Sequence, residues 1–167
     1  MSDETSAKIV AGAADIVNSH LASYLSSGGQ EGHVLDNRTV NGHFFGTHCM
    51  IRYKGRKSGR TMITALSYGA IGGELVVCGS LGGADHHPNW YLNLVAAPEV
   101  DVQVATEAFR ATVREPVGEE REEVWRFMQK CFPFYTQYQS TTDRILPLVM
   151  MKPYERAPIF RESDISA

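Results

Sequence analysis

The spacing of hydrophobic residues changes along the chain from a helical period to a strand period. Near the N-terminus apolar residues recur at intervals of three or four: Ile9, Ala13, Ile16, Val17, Leu21 and Tyr24. This spacing predicts an amphipathic helix that ends at the glycine pair Gly28-Gly29. From residue 44 onward the pattern becomes short apolar runs and strict alternation between glycine-rich turns, which predicts strands. The predicted strands cover residues 44–53, 61–68, 74–78, 100–104, 109–113 and 146–151.

Helices interrupt these strands. Pro88 opens one helix and Ala97-Pro98 closes it, because proline fits a first helical turn but cannot continue a helix. A second helix is predicted over residues 118–131, where glutamates crowd the first turns and match the helix dipole. A short helical segment begins at residue 135. Hairpin-joined strands with inserted helices predict an α+β fold built on a small β-barrel, with an N-terminal helix within residues 1–30 and one domain over residues 31–160.

Composition narrows the class of partner and the compartment. The chain has 167 residues, a net charge of −3 and no long basic block, which argues against nucleic acid as a partner. Its three cysteines form no CxxC pair, so buried thiols in a reducing compartment are expected. No apolar run approaches the ~20 residues of a membrane span and no signal peptide is recognised, which predicts a cytoplasmic protein. Weak membrane contact through the first helix is the alternative, although its polar face is poor in Lys and Arg.

The stretch from Ser80 to Asn93 is a candidate ligand cradle. It begins as a small-residue loop directly after an apolar run and passes through Pro88 into a helix. The first N–H groups of a helix have no intrahelical partner and favour negative charge, while glycines allow close approach. The stretch therefore predicts a site for an anionic or planar ligand. An ordinary strand-to-helix loop would have the same pattern.

The loop from Gly55 to Arg60 is a candidate anion site. Arg56, Lys57 and Arg60 lie within one turn of a predicted hairpin, with Ser58 between them. Such a cluster can reach a phosphate or a carboxylate. The order of residues is not that of a P-loop, and no helix follows. A solvated hairpin tip is the alternative interpretation.

The sequence lacks the residue spacing that a metal site or a serine nucleophile requires. Asp85-His86-His87 has no second pair of ligands at a suitable interval, and His43 and His48 would face opposite sides of a strand. Ser80 does not stand in a G-x-S-x-G elbow. We therefore predict no metal site. Separately, Tyr135 and Tyr138 share one helical face, which suits either core packing or two phenols directed at a ligand pocket.

Five motifs occur in a fixed order along the chain. They are Gly55-Arg56-Lys57-Ser58-Gly59-Arg60, Gly82-Gly83-Ala84, Pro88-x-Trp90-Tyr91-x-Asn93-Leu94, Ala97-Pro98-x-Val100 and Tyr135-x-x-Tyr138-Gln139-x-x-Thr142-Asp143-Arg144-x-x-Pro147. In this order the chain resembles the deazaflavin-dependent nitroreductase family of actinobacteria. That family lies within the flavin/deazaflavin oxidoreductases that use coenzyme F-420. The resemblance covers residues 44–152.

The resemblance implies a split β-barrel of the FMN-binding type and a set of residues around the reduced 8-hydroxy-5-deazaflavin coenzyme. The hairpin would hold the phosphate and the glutamate tail, through Arg56, Lys57, Ser58 and Arg60. The next strand would line the ring, through Met62, Thr64, Ala65, Leu66 and Ser67. The loop and the start of its helix would close over the ring, through Gly79, Ser80, Gly82, Gly83, Ala84, Asn89, Trp90 and Asn93. The catalytic candidates on the acceptor side would be Ser80, Tyr135 and Tyr138.

The implied activity is hydride transfer from reduced coenzyme F-420 to a small, hydrophobic, electron-poor acceptor. Quinones, nitroaromatics and activated enones are acceptors of this kind. Two positions depart from the family pattern, because Met62 stands where many relatives have Arg and Leu81 where many have Lys. Weaker contacts to the tail are expected there. The alternatives are an FMN- or haem-binding split barrel and a non-catalytic carrier of a cofactor or hydrophobic ligand.

Overall fold

Antiparallel strands form a single curled sheet in the computed structural model, which describes residues 18–36, 38 and 45–166. The strands are β1 (Val34–Asp36), β2 (Phe45–Lys54), β3 (Thr61–Ser67), β4 (Gly69–Ile71), β5 (Glu74–Cys78), β6 (Glu99–Val104), β7 (Glu107–Arg114) and β8 (Leu148–Ala157). The order across the sheet is β1-β2-β6-β7-β8-β5-β4, and β3 pairs with β2. The predicted α+β split barrel is confirmed.

Helices lie between the strands as the sequence predicts. They are α1 (described over residues 18–26), α2 (Asn89–Ala96), α3 (Gly118–Cys131) and α4 (Phe134–Ser140), with 3₁₀ turns at Leu81–Gly83 and Glu162–Asp164. The predicted first turns of the N-terminal helix, and His43 and Phe44, lie outside the described residues. No helix in the described part of the chain is long and apolar enough to cross a bilayer.

Side-chain alternation along the strands divides the core into an interior and two outer layers. The interior of the barrel is filled by buried side chains from the strands and from α2: Cys49, Ile51, Tyr53, Val77, Trp90, Leu94, Val100, Val102, Ala111, Val149 and Met151. On the outside, α3 and α4 cover β5 and β8. A second outer layer joins Tyr24 and Leu25 of α1 to Met50, Ile63 and Phe160.

The barrel is open along one edge of β3. Among the described strands β3 pairs only with β2, whereas β4, which follows it after Tyr68, pairs with β5. Since β5 ends at Cys78 and the chain leaves it as a glycine loop, most of the second edge of β3 lies beside no strand. Main-chain groups on such an edge are available to a ligand.

Three features differ from the sequence prediction. The short strands β1 and β4 were not predicted, and β8 runs to Ala157 rather than ending at residue 151. A register shift between Arg110 and Ala111 accommodates Pro153 in the β7–β8 ladder, as expected for proline in a sheet. The prediction of a buried Cys131 was wrong, because its side chain is exposed. Cys49 and Cys78 are buried as predicted, and burial raises the pKa of both thiols to about 12.

Candidate active site

The β2–β3 hairpin presents its cations to solvent from a closed turn. Gly55 N donates to Arg60 O and Gly59 N donates to Gly55 O, each at 2.8 Å. Arg56 is tied to α2, since its main-chain N and its Nη1 both donate to Oδ1 of the buried Asn93, at 2.9 and 3.0 Å. Lys57 is exposed, and its ammonium contacts no acceptor within the described residues. The turn therefore offers an uncommitted cation at a fixed position.

The glycine loop after β5 has a backbone conformation that gathers donors. Ser80 is in the right-handed helical region, with φ −77° and ψ −39°, and Leu81 and Gly82 follow with φ of +43° and +63°. A right-handed residue followed by a left-handed one directs successive N–H groups into one concavity, which binds anions. In the described structure the N–H groups of these three residues have no hydrogen-bond acceptor. We call this group the nest.

Leu81 has a strained backbone conformation within the nest. A non-glycine residue in the left-handed backbone region costs on the order of 1–3 kcal/mol. Such a conformation persists only where the surrounding structure enforces it. The Leu81 side chain is 47% exposed, so it gains little from burial in return. Strain of this kind concentrates at ligand sites, which supports a binding role for the loop.

Arg144 holds the carbonyl side of the loop. Its guanidinium donates to the carbonyl oxygens of Ala84 from Nε at 2.6 Å, Gly79 from Nη1 at 3.0 Å and Ser80 from Nη2 at 2.7 Å. Nη1 also lies 3.0 Å from Nδ1 of His87. A guanidinium only donates, so His87 carries its proton on Nε2. The loop carbonyls are thereby turned toward Arg144 and the N–H groups of the nest are left open.

Close contact at Gly83 joins the loop to α4. A Cβ atom at Gly83 would lie 2.2 Å from Oγ1 of Thr141 and 2.6 Å from the carbonyl oxygen of Tyr138. Thr141 Oγ1 also donates to Gly83 O at 3.2 Å. Glycine is therefore required here, and α4 lies against the loop beside the half-buried Tyr138.

The two candidate tyrosines have different surroundings although their rings are only 6.5 Å apart. Tyr135 is 3% exposed and packs among Phe132, Phe134 and Trp125 outside β5 and β8. Burial raises the pKa of its phenol well above the ordinary value. Tyr135 is thus a poor source of a proton at neutral pH. Tyr138 contacts the loop through its main chain at Gly83, and its half-buried ring packs at the edge of the same aromatic cluster. The hydroxyl of Ser80 contacts no partner among the residues described.

Strand alternation divides the predicted ring-lining residues of β3 between two faces. Met62 and Leu66 lie opposite Tyr53 and Cys49 of β2 and share the interior face with Thr64, whose Oγ1 is 2.9 Å from the Tyr53 hydroxyl. Ala65 and Ser67 face outward instead. Ala65 packs against the layer of α1, and Ser67 Oγ is 3.2 Å from Nε2 of His48. Only the main chain of these two residues can reach the open edge of β3.

The predicted site residues at the start of α2 also have different surroundings. Asn89 is exposed, whereas the ring of Trp90 fills the barrel interior and Asn93 is buried beneath the hairpin. Trp90 therefore supports the site by packing in the barrel interior. Asp85 and His86 are exposed and bond to each other at 3.0 Å. Over the described ranges no three His, Cys, Asp or Glu side chains form a group that could hold a metal ion.

Sequence reasoning included Arg144 in a motif but gave it no role. Its partners are main-chain carbonyls more than 50 residues away, which side-chain patterns do not reveal. One local signal was available, namely a lone arginine two residues before the apolar Leu-Pro-Leu-Val run of residues 146–149. An arginine in such a place usually has a fixed partner, because an unpaired charge is costly to bury.

Comparison with known proteins identifies the family of the chain. A family described as F420H(2)-dependent quinone reductase matches residues 18–153. An F420H(2)-dependent quinone reductase of Mycobacterium tuberculosis (strain ATCC 25618 / H37Rv) is 27% identical over 135 residues, which are 79% of this chain and 86% of that protein. A solved F420-H2 dependent reductase, FDR-A, has a TM-score of 0.59 at 34% identity, covering 63% of this chain and 93% of its own. A solved chain described as a domain-swapped dimer has a TM-score of 0.61 at 32% identity, covering 83% and 98%. The chain therefore belongs to the F420H(2)-dependent quinone reductase family.

Proposed function

We propose that the chain reduces a quinone-type acceptor with reduced coenzyme F-420, using the nest and the cationic hairpin as the two halves of one binding groove. The observation that carries the proposal is the link between them. The glycine loop leads into α2, and Asn93 of α2 holds Arg56 of the hairpin. A donor-lined loop and a cationic turn are thereby fixed to one short helix.

The residues present fit a flat ring with an anionic tail. Lys57 and Arg56 would hold the phosphate and carboxylates of the tail, with Arg60 and Ser58 on the same turn. The nest and the open edge of β3 would receive the polar edge of the ring. When bound, the coenzyme supplies the hydride, and the protein supplies position and electrostatics.

The nest gives this chain a means of stabilising negative charge. Its three N–H groups are oriented before any ligand arrives, because Arg144 fixes the carbonyls of the same loop. Preorganised donors need no reorganisation during reaction, and removing one such donor elsewhere costs about 10²–10³ in rate. We therefore assign the nest to a carbonyl oxygen that gains electron density when the hydride arrives.

The acceptor would lie on the side of the loop that faces α4. The Ser80 hydroxyl and the Tyr138 phenol would orient its carbonyl oxygen, and Tyr138 or solvent would supply the proton. Leu81 and Ile145 are 47% and 69% exposed, and Ile145 directly follows Arg144. Exposed apolar side chains beside a polar site suit a hydrophobic quinone.

A direct assay tests the activity. Purified protein is mixed with reduced coenzyme F-420 and a simple benzoquinone, and the return of the oxidised coenzyme's visible absorbance is followed. Oxidation should depend on both protein and quinone. Titration of tryptophan fluorescence with coenzyme F-420 and with FMN should show quenching by the former at lower concentration. Tight coenzyme binding without quinone-dependent oxidation would identify a carrier instead of a reductase.

Replacing Lys57 with alanine is expected to weaken binding of coenzyme F-420 about tenfold while the fold is unchanged. A charge-assisted contact to an anion is worth ~1.5 kcal/mol, which corresponds to about a factor of ten in affinity. The dissociation constant is measured by fluorescence at low and high salt. Because screening weakens exposed charges, the salt dependence should be smaller in the variant.

Lys152→Ala is the matched control for Lys57→Ala. Lys152 is exposed on β8, so its loss changes the net charge equally at a distance from the hairpin. Its affinity for the coenzyme should equal that of the wild type. If both variants bound the coenzyme with the same affinity, the hairpin would not be the binding site of the tail.

A further inference from the structure

The segment after β8 returns to the base of the hairpin. Phe160 anchors it, with 1% of its surface exposed and its main-chain N donating to Oε1 of the buried Gln103 at 2.7 Å. The guanidinium of Arg52 lies over the Phe160 ring, 4.6 Å from its centroid. The family match ends at residue 153, so this segment lies beyond the part of the chain that the family describes.

A short turn at Glu162–Asp164 is bonded to the β2 arm of the hairpin. Arg52 on β2 donates from Nη1 to Oδ2 of Asp164 at 2.7 Å and from Nη2 to Asp101 at 2.7 Å. The same carboxylate oxygen of Asp164 accepts from the main-chain N of Arg161 at 3.0 Å, which fixes it within its turn. The side chain of Arg52 is thus held from two directions, two residues before the arm ends at Lys54.

Ser166 is hydrogen-bonded to the β3 arm of the hairpin. Its main-chain N donates to Thr61 O at 3.0 Å, and its Oγ accepts from Thr61 N at 2.9 Å. Both main-chain groups of Thr61 therefore point away from β2, toward the edge of β3 that is otherwise open. Thr61 pairs with Lys54 and directly follows Arg60, so it marks the base of the cationic turn.

We propose that residues 158–166 act as a clasp that fixes both arms of the hairpin and thereby sets the affinity of its cations for an anionic ligand. The inference rests on the proposed function in assigning the coenzyme's tail to the hairpin. A two-stranded hairpin is marginally stable by itself, and beyond the β2–β6 pairing that ends at Arg52 the two arms pair only with each other among the described strands. Ordering the turn before binding lowers the entropic cost that the ligand would otherwise meet. The hydrogen bonds of the clasp go to β2, β3 and β6, so they position the turn rather than the groups of the nest.

A double variant of the full-length chain tests the clasp. Asp164→Ala removes the acceptor of Arg52 Nη1, and Ser166→Pro removes both bonds to Thr61, while Asp101 and the Phe160 anchor remain. Amide hydrogen exchange at Gly55 and Gly59 is followed by NMR without coenzyme, and should become about tenfold faster because local opening is easier. The dissociation constant for coenzyme F-420 should rise about threefold to tenfold, and the rate constant at saturating coenzyme should stay within a factor of two. Glu162→Gln is the control, since its side chain lies in the same turn and contacts no other described residue.

The outcomes separate the clasp from the proposed function. Wild-type exchange at Gly55 and Gly59 in the double variant overturns the clasp, and so does faster exchange with wild-type affinity. A fall in the rate constant at saturating coenzyme also overturns it, because positioning of the turn would not cause that. Failure of the proposed function would appear in the wild-type protein as absent binding of coenzyme F-420.

Discussion

Replacing Arg144 with methionine should lower kcat/KM for F-420-dependent quinone reduction about a hundredfold, the range found for loss of preorganised donors to a developing anion. The substitution removes three charge-assisted bonds to the carbonyls of Gly79, Ser80 and Ala84. Without them the loop can rotate its carbonyls into the groove and its N–H groups out of it, which reverses the polarity that the ligand meets. The measurement is steady-state kinetics with varied quinone at saturating coenzyme, together with thermal unfolding of the free protein.

Two further variants separate the loss of geometry from the loss of charge. Arg144→Lys keeps the charge but offers a single nitrogen in place of a planar fork, so it should recover only part of the activity. Arg126→Met removes an exposed arginine from α3 and should leave kinetics unchanged. Wild-type kcat/KM in Arg144→Met would show that the loop keeps its shape without the guanidinium, which would contradict the assignment.

The second large effect is expected at Gly83. Gly83→Ala should lower both thermal stability and quinone reduction, the latter by at least tenfold. A Cβ there would lie 2.2 Å from Oγ1 of Thr141, directly after α4, and 2.6 Å from the carbonyl oxygen of Tyr138 in α4. Relief requires α4 to move away from the loop, which carries Tyr138 with it. Unfolding temperature and kcat are measured in parallel.

Gly82→Ala is the matched control, because Gly82 also has positive φ but a Cβ there would meet nothing within 4 Å. It should cost about 1 kcal/mol of stability from the left-handed backbone and little activity. Adding Thr141→Ala to Gly83→Ala removes the nearer clash only, so partial recovery is expected. Equal effects of Gly82→Ala and Gly83→Ala would show that backbone strain, and not the contact with α4, decides the outcome.

Local sequence signals predicted the two parts of the site that are built from consecutive residues. The hairpin turn and the glycine loop each depend on glycines and neighbouring polar residues, so their conformation is encoded where they lie. The register of β2 against β3 then follows from the short turn between them, as hairpins generally behave. The strand continuation to Ala157 was missed because polar residues and Pro153 replace the apolar alternation there.

Long-range contacts decided what the sequence could not predict. Helical spacing correctly predicts that the rings of Tyr135 and Tyr138 are neighbours. It does not predict that Tyr135 is buried under α3 or that the main chain of Tyr138 contacts the glycine loop. The predicted lining set of β3 treated consecutive residues alike, whereas only every second side chain of a strand faces the interior. The hydrogen bonds of Arg144 and Ser166 span 60 residues or more and end on main-chain atoms, so no local pattern identifies their partners.

The open nest also implies selection by hydrogen-bond polarity. With the Ser80 carbonyl bound to Arg144 and the Leu81 carbonyl bound to Ala84 N, the Ser80–Gly82 backbone offers the groove mainly N–H donors. A heterocycle whose edge carries carbonyl oxygens is matched by this array, whereas an amino-substituted edge, such as that of adenine or a pterin, would set donor against donor. Such a mismatch leaves buried N–H groups unpaired and costs about 1–3 kcal/mol for each. In the proposed function, the loop would thus discriminate among flat ligands of equal size before the charge of the tail has any effect.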